Sequence, residues 1–258
     1  MTQVKFFKDL PTLSKLGTTN SLLATENATG KNYRMSADNL KSELGSISID
    51  DVMDNVFIMC HRPSDNSRAV CYRPSEWAAQ EAAGNVATGV LLIDGGRKLV
   101  IAPQEKTSTW STCKLECGTK QEDRLLAQEL YNGKENCAKI LTNTTLAAEG
   151  DASAVGWCNA YERINAGGKG LKAGAWWLPS LGELYLMFAN YTKINYALSK
   201  ISGATLLSKT TYWSCTENSA QIAWLLNFNN GNQNNNDKSS NQYRVRPVSA
   251  YHGSLQVY

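Results

Sequence analysis

The sequence predicts an α+β fold, and three observations carry that prediction. Short apolar runs broken by turn residues fill positions 56 to 102, and amphipathic helical patterns follow between 123 and 190. Short strand-like pieces then return from 213 to 250, so strands and helices sit in separate stretches of the chain. At 258 residues the chain exceeds one average domain, so one core of ordinary size plus a small appendage is expected.

The appendage is residues 1 to 45. Ser21 to Thr25 reads as a strand, Asn27 to Lys31 as a turn with Gly30 free to take φ > 0, and Asn32 to Met35 as the returning strand. Ser36 stands at an N-cap position before a helix over Ala37 to Leu44, and Gly45 is placed to stop it. A hairpin and two helical turns bury too little to stand alone, so the unit is expected to dock on something else. It resembles the N-terminal module of phage tail and fibre proteins, which implies attachment or oligomerisation.

The main domain, 46 to 258, begins with a linker around Gly45 to Asp51. Val56 to Cys60 and Arg68 to Tyr72 read as strands around a Pro63 to Ser67 turn. Ala87 to Asp94 and Arg97 to Ala102 flank Gly95-Gly96, a strong hairpin signal. Helices are expected over Asp123 to Gly133, with Leu125, Leu126 and Leu130 as its apolar face, over Ala152 to Tyr161, and over Ser180 to Asn190. The last is the best marked: Pro179 and Ser180 open it, Glu183 takes the capping-box position, and Leu184, Met187 and Phe188 form its stripe.

From Trp213 to Ala250 the chain changes character. Asparagine occupies 218, 227, 229, 230, 232, 234, 235, 236 and 241. Apolar pieces bracket the run, Ala223 to Phe228 before it and Tyr243 to Val248 after it, and a tract pinned at both ends reads as a displayed hairpin or loop.

Catalytic signals are sparse. The two histidines, His61 and His252, lie far apart in polar, turn-like settings, and neither sits in a metal-ligand spacing. Gly167-Gly168-Lys169-Gly170 reads as a loop and lacks the Ser/Thr that follows the lysine of a phosphate-binding loop. The seven cysteines are odd in number and read as reduced, mostly buried thiols; Cys113, Cys117 and Cys137 make a poor zinc set. Cys215 reads as a small buried residue, because no base accompanies it. No cofactor, metal or catalytic residue is expected.

The net charge of +3 is spread without a basic stripe, so nucleic acid is not an expected partner. No stretch approaches the roughly 20 apolar residues that span a bilayer. Charges stand at the N-terminus where a secretory signal has its apolar core, so synthesis in a cytoplasm is expected. Trp157, Trp176, Trp177, Trp213 and Trp224 read mainly as core anchors.

Four ordered motifs then carry a resemblance over residues 55 to 258. Trp177-Leu178-Pro179-Ser180-Leu181-Gly182-Glu183-Leu184 resembles a W-x-L-P-x-x-x-E-L segment, and Tyr212 to Glu217 resembles Y-W-S-S-T-E. Ala223-Trp224 with Phe228 and Gly231 resembles A-W-x-x-x-F-x-x-G, and Arg244 to Val248 resembles x-V-R-P-V. These are segments of C-type-lectin-like domains of the formylglycine-generating-enzyme-like subtype. They are shared by the bacterial major-paralogous domain and by the variable proteins of diversity-generating retroelements, many of them phage-borne.

The asparagines favour the second branch. Those elements mutate adenines, and an asparagine codon begins with two of them. The resemblance implies a ligand-binding protein with a hypervariable C-terminal region over about 212 to 250, displayed on a phage tail as a homo-oligomer against a cell-surface protein or glycan receptor. A bacterial adhesion domain with a fixed partner is the alternative, and a formylglycine-generating-type enzyme a more remote one. Cys215 departs from the motif serine, and the calcium–sugar signatures of animal lectins are missing.

The residues expected to face a ligand are Asn218, Ser219, Asn227, Asn229, Asn230, Asn232, Asn234, Asn235, Asn236, Ser240, Asn241 and Tyr243, as one contiguous patch. In the strand Ala223 to Phe228, period-two alternation puts Trp224, Leu226 and Phe228 on one side and Asn227 on the other. Glu183, Glu217, Arg244 and Arg246 read as acids and arginines that pair across adjacent strands to hold an irregular fold.

Overall fold

The computed structural model describes residues 21–25, 32–36, 55–62 and 68–251. The chain divides into two compact units, Met1–Met53 and Asp54–Tyr258, so the division falls after Met53 where the sequence placed it after residue 45. In the first unit β1 (Ser21–Thr25) pairs antiparallel with β2 (Asn32–Ser36), from Thr25 opposite Asn32 to Ser21 opposite Ser36. Ser36 thus closes the strand. The Gly30 turn, the 37–44 helix, the 45–51 linker, the 63–67 turn and His252 lie outside the described residues.

The second unit is α+β with two five-stranded sheets. β3 (Val56–His61), β4 (Ala69–Tyr72), β5 (Ala87–Asp94), β6 (Arg97–Ile101) and β14 (Val248–Ala250) form the first, ordered β14-β6-β5-β3-β4 and antiparallel throughout. β5 turns into β6 through Gly95 and Gly96, both at positive φ (54° and 77°), as the tight hairpin between Asp94 and Arg97 requires. Alternate residues of β3 enter two different cores. Val56, Ile58 and Cys60 join the large cluster, while Phe57 and Met59 join a smaller one with Leu91, Val100, Trp176 and Tyr251. Both faces are therefore covered, which is why β3 and β5 read as unbroken apolar runs.

β7 (Lys106–Ser108), β10 (Thr211–Glu217), β11 (Ile222–Asn227), β12 (Gln233–Asp237) and β13 (Tyr243–Val245) form the second sheet, ordered β12-β11-β10-β13-β7. β10 and β13 run parallel, and the other pairs antiparallel. Each sheet borrows a strand from the other end of the chain: β14 pairs with β6, and β7 pairs with β13. The two sheets are thus interlocked by sequence as well as by packing.

Helices α1 (Trp77–Ala82), α2 (Arg124–Gln128), α3 (Gly133–Ile140), α4 (Thr144–Ala147), α5 (Ala154–Ala160), α6 (Leu181–Ala189) and α7 (Tyr191–Leu198) fill the middle. Ser153 caps α5 by accepting from the Gly156 N–H. α6 carries the capping box read from Ser180 and Glu183, and buries Leu181, Leu184 and Met187.

One expected helix is corrected. The 123–133 pattern yields only α2, whose Leu125 and Leu126 are 65% and 51% exposed, so the leucine stripe is not a core face. Asp123 caps α2, but the Leu130 carbonyl accepts from Gly182 N and Ser180 Oγ at the start of α6. Packing there leaves no room for continuation: a Cβ on Gly182 would lie 2.5 Å from Leu130 O. A new helix, α3, starts after the break.

If the two units are independent, a chain shortened to residues 50–258 will keep the midpoint and cooperativity of thermal unfolding of the second unit, read by near-ultraviolet circular dichroism. Loss of the tertiary signal on truncation would contradict the division.

Candidate functional site

The polar C-terminal segment is built on β10. At the end of that strand Glu217 is fully buried and collects the backbone N–H groups of Cys117 and Gly118 together with the ammonium of Lys238. Lys238, also 0% exposed, donates to the Leu115 carbonyl at 2.9 Å and lies 4.5 Å from the Trp110 ring centroid. Backbone bonds from Trp110 and Ser111 to the Lys238 carbonyl complete the join. One ion pair therefore ties the end of β10, the turn after β12 and the 110–118 loop.

Of the two expected forms, loop and hairpin, the asparagine run takes the hairpin: Asn227 ends β11, Asn229, Asn230 and Asn232 lie in the turn, and Asn234, Asn235 and Asn236 fall in β12. Its register against β11 sets Asn236 opposite Ala223, Asn235 opposite Trp224, Asn234 opposite Leu225 and Gln233 opposite Leu226. Cross-strand partners share a face, so Asn234 and Asn236 lie with Leu225 and Asn227, while Asn235 and Asp237 lie with Trp224 on the other. On that second face Trp224 Nε1 donates to Gln121 O, and Gln233 Nε2 donates to Arg124 O.

β12 is also a sheet edge. The bonds from Asn227 N to Asn232 O and from Lys238 N to Gln221 O fix the alternation, which turns the N–H groups of 233, 235 and 237 away from β11. Two of these are met locally: Asn234 Oδ1 accepts from Asn235 N and Asn236 Oδ1 from Asp237 N, each at 2.8 Å. The asparagines blunt an edge that would otherwise invite another strand.

Polar side chains also build the turns. Asn227 Oδ1 accepts from Asn229 N, Asn230 Oδ1 from Asn232 N, and Ser219 Oγ from Gln221 N and Ile222 N. Gly231 sits at φ 74°, where an added Cβ would come within 2.8 Å of Phe188. Asp237 takes four donors from Ser239 and Ser240 on one oxygen and Lys114 on the other, and this partnership holds its carboxyl well below the usual range.

The expected ligand-facing set is thus distributed. Asn229, Asn230, Asn232, Asn234 and Ser240 are exposed; Asn218, Ser219, Asn227, Asn235, Asn236, Asn241 and Tyr243 are half-buried. Asn236 Nδ2 donates to the Tyr243 hydroxyl and Asn241 Nδ2 to Asn236 Oδ1, joining three of them, while the Tyr243 ring packs edge-on against Trp213 at 4.9 Å. Asn218 and Ser219 share one end of the sheet with Ser240 and Asn241; Asn229 and Asn230 lie at the other, roughly 20 Å away at the usual strand rise. Strand alternation sends Asn235 to the opposite face from Asn234 and Asn236. In β11 alternation gives no solvent side in mid-strand, because Leu225 is buried as well as Trp224 and Leu226.

Other candidates resolve differently. Arg244 and Arg246 do not pair with the motif acids. Arg246 donates from Nε and Nη2 to Glu105 Oε2, and from Nη1 and Nη2 to the carbonyls of Ala102 and Thr205. Arg244 Nε stands 3.5 Å from Glu105 Oε1. Glu217 takes Lys238 and Glu183 caps α6, so the sequence reading missed both true partners, Glu105 and Lys238. Lys238 is the one cation between Lys209 and Arg244, which was the available signal for it.

Cys215 is fully buried, and burial together with the neighbouring Cys137 thiol pushes its pKa well above the ordinary value. All seven cysteines are free thiols. In the glycine loop, Asn165 Oδ1 accepts from Gly167 N and Lys169 N, the groups a phosphate would use. His61 is not in an open turn. It closes β3, buried beside Thr88, and burial lowers its pKa. Among the described residues no cluster of three His, Cys, Asp or Glu could hold a metal, and no helix is long and apolar enough to cross a membrane.

No family model and no curated protein matches the chain. Among solved structures it is similar to a fimbrial protein from Bacteroides ovatus, at 14% identity and a TM-score of 0.45, covering 92% of this chain and 58% of that one. The chain therefore spans little more than half the length of that protein.

Replacing Lys238 by Met leaves Glu217 buried without its cation and should destabilise the second unit by about 3–5 kcal/mol in denaturant unfolding. The double variant Glu217→Gln with Lys238→Met should recover part of that loss. A single variant within about 0.5 kcal/mol of wild type would show the pair to be dispensable.

Proposed function

We propose that the chain is a ligand-binding protein on a C-type-lectin-like scaffold of the formylglycine-generating-enzyme-like subtype. On this reading it is the variable protein of a diversity-generating retroelement, displayed on a phage tail as a homo-oligomer, and its polar C-terminal sheet meets a cell-surface protein or glycan. The four motifs behind the resemblance support the scaffold by meeting in one core. Trp177 and Val248 exchange backbone hydrogen bonds at 2.9 Å, and Tyr212 and Leu226 face one another across β10 and β11.

One observation carries the functional reading. Between Asn229 and Tyr243 the buried residues are Gln233 and Lys238, while each asparagine keeps solvent access. Mutating the adenines of an asparagine codon cannot produce lysine, glutamine or tryptophan. The two buried side chains of this stretch are thus of types that this mutagenesis does not reach from asparagine, while each asparagine keeps solvent access. Neutral amides, hydroxyls and a tyrosine on a rigid sheet also make an adaptable hydrogen-bonding surface.

Sequencing sibling copies from related genomes tests the proposal. Substitutions should concentrate at Asn218, Asn227, Asn229, Asn230, Asn232, Asn234, Asn235, Asn236 and Asn241. Trp213, Trp224, Gly231, Gln233, Lys238 and Arg246 should be spared, and a near-repeat of the 3′ coding end should lie beside a reverse-transcriptase gene. Variation scattered evenly over the domain, with no such repeat, would overturn it.

A further inference from the structure

The side-chain amides of the asparagine hairpin are not free to turn either way. Asn227 Oδ1 accepts from Asn229 N, Asn230 Oδ1 from Asn232 N, Asn234 Oδ1 from Asn235 N and Asn236 Oδ1 from Asp237 N. Only the oxygen end of an amide can accept an N–H, so the main chain fixes which end points back and which points out. Four carbonyls are thus spent on the turn and on the strand edge. No acceptor among the described residues takes Nδ2 of Asn227, Asn230 or Asn234. Asn236 Nδ2 donates to the Tyr243 hydroxyl, which keeps its own hydrogen for an outside acceptor.

Register sets these donors in a row. Asn227 stands opposite Asn232 at the mouth of the turn, Asn234 and Asn236 follow on the same face, and Tyr243 meets Asn236 at the far end. From Asn232 to Asn236 the strand rises roughly 14 Å, the reach of a short oligosaccharide. Asn232 keeps both ends of its amide free and Asn241 its carbonyl, so the row offers many donors and few acceptors.

Two further features narrow the ligand. The row carries no charge: Asp237 alternates to the other face and pairs with Lys114, Lys238 is buried on Glu217, and Arg244 stands beside Glu105. Nor does it carry an apolar anchor. The large apolar side chains exposed among the described residues are Leu115, Leu125, Leu126, Ile164 and Leu206, none of them on β10 to β13. A protein partner draws most of its binding energy from a few large side chains sunk in pockets, and an anionic ligand from cations. This face provides neither. An acetamido group presents an uncharged carbonyl to such donors, and the hydroxyls beside it on a sugar can meet the remaining amides.

We infer that the ligand of this face is an uncharged glycan rich in acetamido groups, whose carbonyl oxygens accept from the outward amides of Asn227 and Asn234 and from the Tyr243 hydroxyl. The inference rests on the reading that the asparagine-bearing sheet is the ligand surface, and it narrows the partner from protein or glycan to one chemistry.

The test is an amide NMR titration of the full chain with the trimer of N-acetylglucosamine. The glucose trimer of the same linkage, which lacks the acetamido groups, and the glucosamine trimer, which carries amines in their place, run in parallel. The acetylated trimer should bind saturably with a millimolar or lower Kd, about tenfold or more tighter than either control. The side-chain NH2 signals of Asn227 and Asn234 should shift as it binds. Asn234→Asp keeps an acceptor for Asn235 N but turns a second acceptor outward in place of the donor, and Asn227→Asp does the same at the turn. Each should weaken binding about tenfold or more, whereas Asn143→Asp, which adds the same charge at the N-cap of α4, should not. If Asn227→Asp does not fold, Asn234→Asp decides. Equal affinity for the glucose trimer, or binding unmoved by the aspartates, would overturn the acetamido assignment and leave the sheet as the ligand surface. Saturable binding that shifts only signals away from the sheet would count against both. No binding of any trimer would also overturn the assignment, and the sibling sequences then decide the sheet reading on their own.

Discussion

The buried pair of Glu217 and Lys238 is the constraint on which the polar end of the molecule depends. Two charges removed from water are costly unless each is met by further polar groups, and here they are. Glu217 gathers two backbone N–H groups besides the ammonium, and Lys238 adds the Leu115 carbonyl and the face of Trp110. The pair fixes the end of β10, where the chain bulges between Trp213 and Glu217, to the turn that follows β12. A strand of amides has almost no hydrophobic surface to anchor itself. β12 is held instead at its two ends, by Gln233 against Arg124 and Tyr185 and by Lys238 in its polar socket.

Around that pin the fold is closed by exchange of strands. β7 from the first half completes the second sheet, and β14 from the last residues completes the first. The crossing from one sheet to the other passes through Arg246, whose guanidinium binds Glu105 and two carbonyls. Tyr212 also donates to that Glu105 carboxylate at 2.8 Å, so the crossing and β10 share one acid. Packing of Trp213, Tyr212 and Phe228 then sets the sheet that the asparagines decorate.

Local signals carried much of this into the sequence. Gly95-Gly96 gave the β5–β6 hairpin, Ser180 and Glu183 gave the start of α6, and the apolar runs gave β3 and β5, because each is fixed by neighbours in the chain. What was not legible depends on distant partners. The leucines of α2 carry a helical spacing with no core to meet, since the Leu130 carbonyl is claimed by α6 fifty residues on. Glu105 and Lys238 offered no pattern that tied them to Arg246 and Glu217, which lie 141 and 21 positions away. The asparagine run left hairpin and loop both open because amides are poor strand formers. Pairing with β11 and self-capping of the edge override that preference.

The same arrangement separates what supports the sheet from what it presents. Asn229, Asn232 and Asn234 are open to solvent, while Gln233, next in sequence to two of them, is buried. A surface that can change without cost to its scaffold requires that division at single-residue resolution. The most direct measurement is a folding selection on a library in which residues 227–241 are each fully randomised, one position at a time, and folded variants are counted by protease resistance. Asn229, Asn232, Asn234 and Asn235 should accept most side chains, and Gln233 and Lys238 few. Equal intolerance at the asparagines and at Lys238 would contradict that division.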